Sequence, residues 1–445
     1  MNRLPERNGP YDVAIIGGGI SGTALLYLLG KYTDLKQIAL IEKYDDIASV
    51  NSHGKNNSQT LHCGDIETNY TLDKAVQVKA TADMVVKYAK TLPNRDEILH
   101  VFNKMVLGVG KKECAFLRER YQIFSPHFPS MQLLERDRIA EIEPALVEGR
   151  EQEIVALGVL NEVSGVDFQK LAVSFVDQAR SFTDKDIDLL TGTKSGKIEE
   201  MQNGYRIHTD RGEIEARFVV VSAGGHSLLY AQQMGYGLEY SCLPVAGSFY
   251  FAPESLRGKV YTVQDEKLPF AAIHGDPDVL ARGKTRFGPT ALVLPMLERY
   301  NWKTIPEYFK VLHLDSKVFA VLWDLIKVKE IRRYMFKNVL FEIPFIRRWL
   351  FTRDVRKIVP GMKMKDIRFA RHFGGVRPVM IDKAGRKLHL GEAKIDTGKG
   401  LVFNMTPSPG ATSCLGNGEK DLRLIVDHLK CGFDEAALER DLKAD

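Results

Sequence analysis

The sequence predicts an α/β chain of two sheet domains, one mostly parallel and nucleotide-binding, the other antiparallel. Three observations predict it. A glycine-rich turn at 17–22 lies between a strand-like and a helix-like stretch close to the start. Apolar runs that end in glycine recur at 218–225 and 400–410, as in a chain that leaves a parallel sheet and returns to it twice. The stretches between 240 and 381 carry the apolar runs and turn residues of antiparallel strands. The length, 445 residues, also exceeds what one core usually holds, roughly 250–300 residues.

The first element is the strand "YDVAIIGGG", and "ISGTALLYLLGKY" follows with helical apolar spacing. Gly17-x-Gly19-x-x-Gly22 therefore sits between strand and helix, the context that gives this motif its meaning. Gly17 permits the tight turn, Gly19 a close approach of pyrophosphate, and Gly22 close packing of helix on strand. Gly18, Ile20 and Ser21 offer backbone N–H groups at the helix start, where an anion is favoured. A second strand, "QIALIEK", places Glu42 twenty residues after Gly22, where its carboxylate can accept from a ribose, with Lys43 beside it.

No second G-x-G-x-x-G follows. The chain instead returns through "GEIEARFVVVSAGG", bringing Ala223 and Gly224, and through "GLVFNMTPSPGATS", bringing Ser408, Gly410, Ala411 and Thr412 to a helix start. One nucleotide motif, two excursions and two returns describe an FAD-binding Rossmann-like fold of the glutathione-reductase or D-amino-acid-oxidase type. No cysteine or histidine stands in a linkage signature, so the FAD is expected to be non-covalent.

The expected boundaries follow. Residues 1–80 form the FAD-binding domain, with returns at about 150–235 and 370–445. Residues 81–149 and 236–370 form the substrate domain, with a basic helical segment at about 303–357. The net charge is +5, with 62 Lys and Arg against 57 Asp and Glu. Five scattered cysteines, Cys63, Cys114, Cys242, Cys414 and Cys431, argue against a disulfide framework or a metal site and fit a reducing compartment. No signal-type leader or run of about 18 apolar residues is present, so no spanning helix is expected.

At "GKNNSQTLHCGDIETNY" the chain resembles the malate:quinone oxidoreductases, through Asn56, Asn57, Thr60, His62, Asn69 and Tyr70. The resemblance continues through "FLRERY" (116–121), "PALVEGR" (144–150), "VSAGG" (221–225), "FGP" (287–289) and "SPGAT" (408–412). Gln59-Thr60-Leu61 and Met405-Thr406-Pro407 depart from the family pattern, which bears on substrate choice. The resemblance implies FAD, oxidation of L-malate or a similar 2-hydroxy acid, and delivery of electrons to membrane quinone. Asn56, Asn57, Ser58, Thr60 and Gly375 are expected to contact the cofactor as well. Lactate or L-2-hydroxyglutarate dehydrogenases and oxidases are the related alternatives. A flavin-containing RNA-binding or tRNA-modifying protein is the alternative of another class, though no nucleic acid is expected.

Oxidising a secondary alcohol needs a base for the hydroxyl proton and an acceptor for hydride. A neutral histidine is the usual base near pH 7. His274, ending a strand in "FAAIHGDPD", is slightly favoured over His62 in the loop after the first βαβ unit. Arginine clamps a carboxylate bidentately, and Arg377 in "RHFGGVRP" stands at a strand end that returns toward the flavin. His372 of the same stretch and Tyr70 are further substrate-binding candidates, although a core role suits Tyr70 as well.

Residues 318–357 interleave aromatic and aliphatic side chains with arginines and lysines, above all in "EIPFIRRWLFTRDVRK". Such a stretch suits a membrane surface, with cations on lipid phosphates. It suits a helical cap on the substrate domain too. The membrane reading places the protein in the cytoplasm, peripheral on the inner face of the cell membrane.

Overall fold

A computed structural model describes residues 4–5, 7, 9–264, 272–389, 391–407 and 409–443. Ser408 lies outside the described residues. Strand β1 (Tyr11–Ile16) leads into helix α1 (Ile20–Tyr32) and strand β2 (Gln37–Ile41). β1 lies parallel between β2 and the strand Gly212–Val221, which is flanked by Leu401–Met405. Both expected returns therefore join this sheet. The turns at 202–205 and 210–213 make the hairpins of Ser195–Met201, Gly204–Thr209 and Gly212–Val221.

Gly17 holds φ at +113°, and a Cβ there would stand 2.4 Å from the Ser222 carbonyl oxygen, so only glycine allows the turn. α1 is buried on nearly every side. It lies in one apolar cluster with the helices Phe168–Arg180 and Cys414–Leu429, which explains why its sequence lacks a polar face. Helix α2 (Leu72–Lys90) also packs there, through Ala82, Met84, Val85 and Tyr88. The nucleotide domain's core thus extends past residue 80, the boundary the sequence suggests.

Strands of the second domain divide between two sheets among the described residues. One runs Arg368–Phe369, Tyr250–Pro253, Lys284–Gly288, His274–Pro277, Lys259–Thr262, Leu99–Val109, Ile154–Val166, Gln132–Glu135. The other runs Leu292–Val293, Tyr240–Ala246, Val376–Asp382, Lys387–His389. Three expectations are corrected here. The antiparallel pattern is broken where Lys259–Thr262 runs parallel to Leu99–Val109. Ile154–Val166 pairs with Leu99–Val109 instead of returning to the nucleotide sheet. Val376–Asp382 pairs with Tyr240–Ala246, so the second return begins after it. An apolar strand shows which residues are buried but not which partner buries them.

The basic segment folds into the helices Ile305–Leu312, Ser316–Lys327, Lys329–Leu340 and Arg347–Val355. Val318 and Val321 face the core, and Phe351 is fully buried, its ring stacked on Tyr250 at 3.8 Å. These helices therefore bury one apolar face and expose another.

Candidate active site

A cavity of about 1040 Å³ runs between the nucleotide sheet and the second domain. That is the upper end of the usual range for ligand pockets, about 300–1,000 Å³. Gly17, Gly19, Glu42 and Gly224 line it, and so do His62, Tyr70, His274 and Arg377. Cofactor and substrate candidates from distant parts of the chain thus share one space.

The glycine turn fits a dinucleotide. A Cβ added to Gly19 would meet only Ser52 Oγ, at 3.4 Å, so the glycine leaves open room at the start of α1. Ile20 N–H donates to Ser52 Oγ at 3.0 Å, a partner the sequence did not single out. Glu42 accepts from Gly18 N–H at 2.7 Å and Tyr44 N–H at 2.9 Å. Burial nevertheless pushes its carboxyl up from the usual range. A carboxylate offers about four acceptor sites, so two remain for a ribose. Ser21 Oγ lies 3.4 Å from Thr406 Oγ1, joining the first turn to the last return. Ala223, Gly410, Ala411 and Thr412 also border the cavity.

The other expected cofactor residues, Lys43, Asn56, Asn57, Ser58, Thr60 and Gly375, border the cavity and also make contacts within the protein. Lys43 is ion-paired with Glu298, which also accepts from Tyr44 Oη at 2.5 Å. The Asn56 amide donates to Val50 C=O, and the Asn57 amide to Asn51 and His53 C=O, so both brace their own loop. Ser58 lines the cavity, and its C=O accepts from Thr60 Oγ1 at 3.1 Å. Thr60 Oγ1 also meets Tyr261 Oη at 2.7 Å and Lys259 Nζ at 3.2 Å, on the substrate side. At Gly375 a Cβ would stand 2.2 Å from Asn56 C=O, so the glycine serves a close approach of two backbones.

His62 is held from both sides. Its backbone N–H donates to Thr412 Oγ1 at 3.1 Å, and its Nδ1 lies 2.8 Å from Glu67 Oε1. Arg120, from the "FLRERY" stretch, donates to Glu67 C=O at 2.7 Å and Tyr70 C=O at 3.1 Å, fixing that turn. Burial disfavours the Glu67 carboxylate, but His62 and Lys104 outweigh it and hold Glu67 below the usual range. Lys104 is itself paired with buried Asp65 at 2.6 Å. An ionised Glu67 keeps the proton on Nδ1 and leaves Nε2 as the acceptor. Glu67 is the residue the sequence reading missed; a glutamate five residues after the histidine was its only signal.

His274 sits differently. It is 3% exposed, stacked on Tyr261 with ring centroids 4.4 Å apart. Neither ring nitrogen has a hydrogen bond among the described residues, and Nε2 is 3.7 Å from Asp276 Oδ1. Burial, helped by the charges of Lys259 and Arg286 and opposed by Asp276, pushes its pKa down from 6.5 to about 4. A base so weak is poorly matched to neutral pH. Both histidines thus border the cavity, but only His62 is tied to a carboxylate.

A stability consequence follows. The unfolded chain protonates His274 near pH 6.5 and the native chain only near 4, so stability is lost as pH falls through that window. About 3 kcal/mol is at stake, at 1.36 kcal/mol per pH unit. Urea unfolding of His274→Gln between pH 7 and 4 is expected to show a shallower loss than wild type; equal slopes would contradict it.

Arg377 lies in the strand Val376–Asp382 and borders the cavity. Among the described residues it has no ion pair or side-chain hydrogen bond. Burial pushes its pKa down, and the phenols of Tyr334, Tyr70 and Tyr261 are the groups it senses. A guanidinium stays charged in such surroundings, so the cavity holds a cation without an anion. His372 is not brought to this place. It is exposed, in the left-handed region with φ +63°, and its ring edge meets Tyr300. The paired glycines after it turn the chain before the strand begins.

The description malate:quinone oxidoreductase matches residues 9–340 as a family. A probable malate:quinone oxidoreductase of Campylobacter jejuni subsp. jejuni is 48% identical over 436 residues, covering 96% of this chain and 97% of that one. The chain belongs to the malate:quinone oxidoreductase family. A malate:quinone oxidoreductase of Helicobacter pylori is 44% identical, covering 97% of this chain and 98% of its own. Malate:quinone oxidoreductases are FAD enzymes that oxidise malate to oxaloacetate with quinone as acceptor, and this chain is an oxidoreductase of that family. An FAD-bound L-α-glycerophosphate oxidase from Mycoplasma pneumoniae shares the fold, with TM-score 0.65, 16% identity and 96% and 97% of the two chains covered. Glycine oxidase from Geobacillus kaustophilus does so at TM-score 0.65 and 17% identity, over 94% and 95%. Of the two fold types the sequence predicts, the D-amino-acid-oxidase type is the one these structures share.

Proposed function

We propose that the cavity holds FAD without a covalent link, its pyrophosphate at the start of α1 and its ribose on Glu42, with L-malate between Arg377 and His62. The observation that carries this reading is an unpaired guanidinium in the same cavity as a histidine tied to a carboxylate. No cysteine borders the cavity among the described residues. Bound FAD supplies the acceptor for two electrons and the C2 hydrogen of malate. Arg377 binds one carboxylate through two parallel N–H bonds. His62 Nε2 accepts the hydroxyl proton, and Glu67 stabilises the resulting imidazolium. Tyr70 and Tyr261 wall the site against water, and neutral His274 completes that wall. The test is anaerobic mixing: L-malate bleaches the flavin, and a quinone analogue restores its colour faster than oxygen does. No bleaching, or faster reaction with oxygen, refutes the reading.

We infer further that the helices between 305 and 355 face the inner surface of the cell membrane from the cytoplasm. Among the described residues no helix is long and apolar enough to cross a membrane. Phe309, Phe319, Trp323, Phe336, Phe345 and Trp349 are all more than half exposed, Phe345 at 94%. Lys327, Lys329, Arg332, Arg333, Arg348 and Arg353 are exposed on the same segment. Each basic residue near an anionic surface contributes about 1 kcal/mol. Binding to anionic vesicles is expected to be reversible and weakened by salt. Serine at Phe319, Trp323, Phe345 and Trp349 is expected to abolish it and to slow turnover with a long-chain quinone, while dye reduction survives. Wild type that ignores vesicles, or equal losses in both assays, makes the segment a structural cap.

A further inference from the structure

We propose that Lys74 binds the second carboxylate of the substrate and makes the site selective for dicarboxylates. The inference rests on the malate reading of the same cavity. Malate carries two carboxylates, and Arg377 is suited to one of them. The cations bordering the cavity are Lys43, Lys74, Lys194, Lys197, Lys310 and Arg377 among the described residues. Lys43 is paired with Glu298, Lys194 with Glu307 and Lys197 with Glu199. Lys310 has no ion pair among the described residues, but it stands on the short helix of Glu307, beside His226 and the glycine return of 223–225 and not beside Tyr70. The buried lysines nearby are taken as well: Lys104 by Asp65, while Lys259 has no exposed surface and meets Thr60.

Lys74 is different. It stands in the first turn of α2, four residues beyond Tyr70, whose phenol is close enough to Arg377 to respond to its charge. Its backbone N–H is capped by Thr71 Oγ1 at 3.3 Å, which fixes the turn that carries it. Its ammonium has no ion pair among the described residues, whereas Lys79 of the same helix is paired with Asp83. Glu392, an acidic group whose charge reaches Tyr70, makes no ion pair with Lys74. A partly buried cavity cation without an anion, four residues from the tyrosine that senses Arg377, matches a substrate with a carboxylate at each end. The half-exposed chain of a lysine reaches the distal carboxylate as a point charge, while the rigid fork of Arg377 sets the orientation of the reacting end.

The test uses the FAD-loaded enzyme and two competitive inhibitors of malate oxidation, succinate and butyrate, which differ in the distal carboxylate. Wild type is expected to prefer succinate. Lys74→Met is expected to erase that preference by weakening succinate about 10–100-fold, to leave butyrate unchanged, and to raise KM for malate more than it lowers kcat. Lys74→Arg is expected to restore most of the preference, and the flavin spectrum is expected to stay as in wild type. Unchanged succinate binding in Lys74→Met overturns the proposal, and so does an equal loss of both inhibitors. If wild type is not bleached by malate at all, the reading of the site fails first, and that is seen before any variant is made.

Discussion

Replacing His62 by glutamine lowers the rate of malate-dependent flavin reduction by about 10²–10⁴-fold, the usual worth of a positioned general base. The fall is expected in kcat, with flavin content unchanged. Glu67 accepts from Nδ1 at 2.8 Å, so the tautomer that results presents Nε2 to the cavity. Glu67→Gln keeps the shape but removes the charge that stabilises the imidazolium, and its effect is expected to be smaller than that of His62→Gln. Its activity is expected to depend on pH differently from wild type. Wild-type Glu67 is ionised across the neutral range, because His62 and Lys104 outweigh the desolvation that opposes them. His274→Gln is expected to retain most activity. If His274→Gln shows the large loss and His62→Gln does not, the two histidines exchange roles.

Replacing Arg377 by alanine lowers kcat/KM for malate by about 10–100-fold or more, the equivalent of losing charge-assisted hydrogen bonds of about 1.5–3 kcal/mol. No acidic side chain among the described residues is left without its partner, so the protein is expected to fold and to bind FAD. Arg377→Lys keeps the charge but loses the planar fork, and is expected to recover activity only in part. Steady-state kinetics with a soluble dye distinguishes these outcomes. Unchanged kinetics in Arg377→Ala would remove the residue from the substrate site.

The nucleotide sheet was legible because each of its signals is local. The run from Tyr11 to Gly22 carries strand, turn and helix start in a dozen residues, and Glu42 follows at the end of the next strand. Arg377 was expected at a strand end and stands instead at the start of Val376–Asp382, where it borders the cavity. The partner of His62 was not. Glu67 looks like any loop carboxylate until Arg120 and Lys104, from a helix and a strand beyond it, fold over that loop. Asn56 and Asn57 brace their own loop and border the cavity as well, and the sequence does not show the first of these roles. Phe351 and Trp349 lie two residues apart in one basic helix, yet the first is buried on Tyr250 and the second is exposed. Only the packing of that helix on the sheet separates them.

The most direct measurement is a crystal structure of the FAD-loaded protein with oxaloacetate or a non-reacting dicarboxylate bound. The account predicts one carboxylate in two parallel bonds to Arg377 and the C2 oxygen within hydrogen-bond distance of His62 Nε2. A ligand whose C2 oxygen meets His274 instead, or whose carboxylates leave Arg377 unpaired, would contradict it.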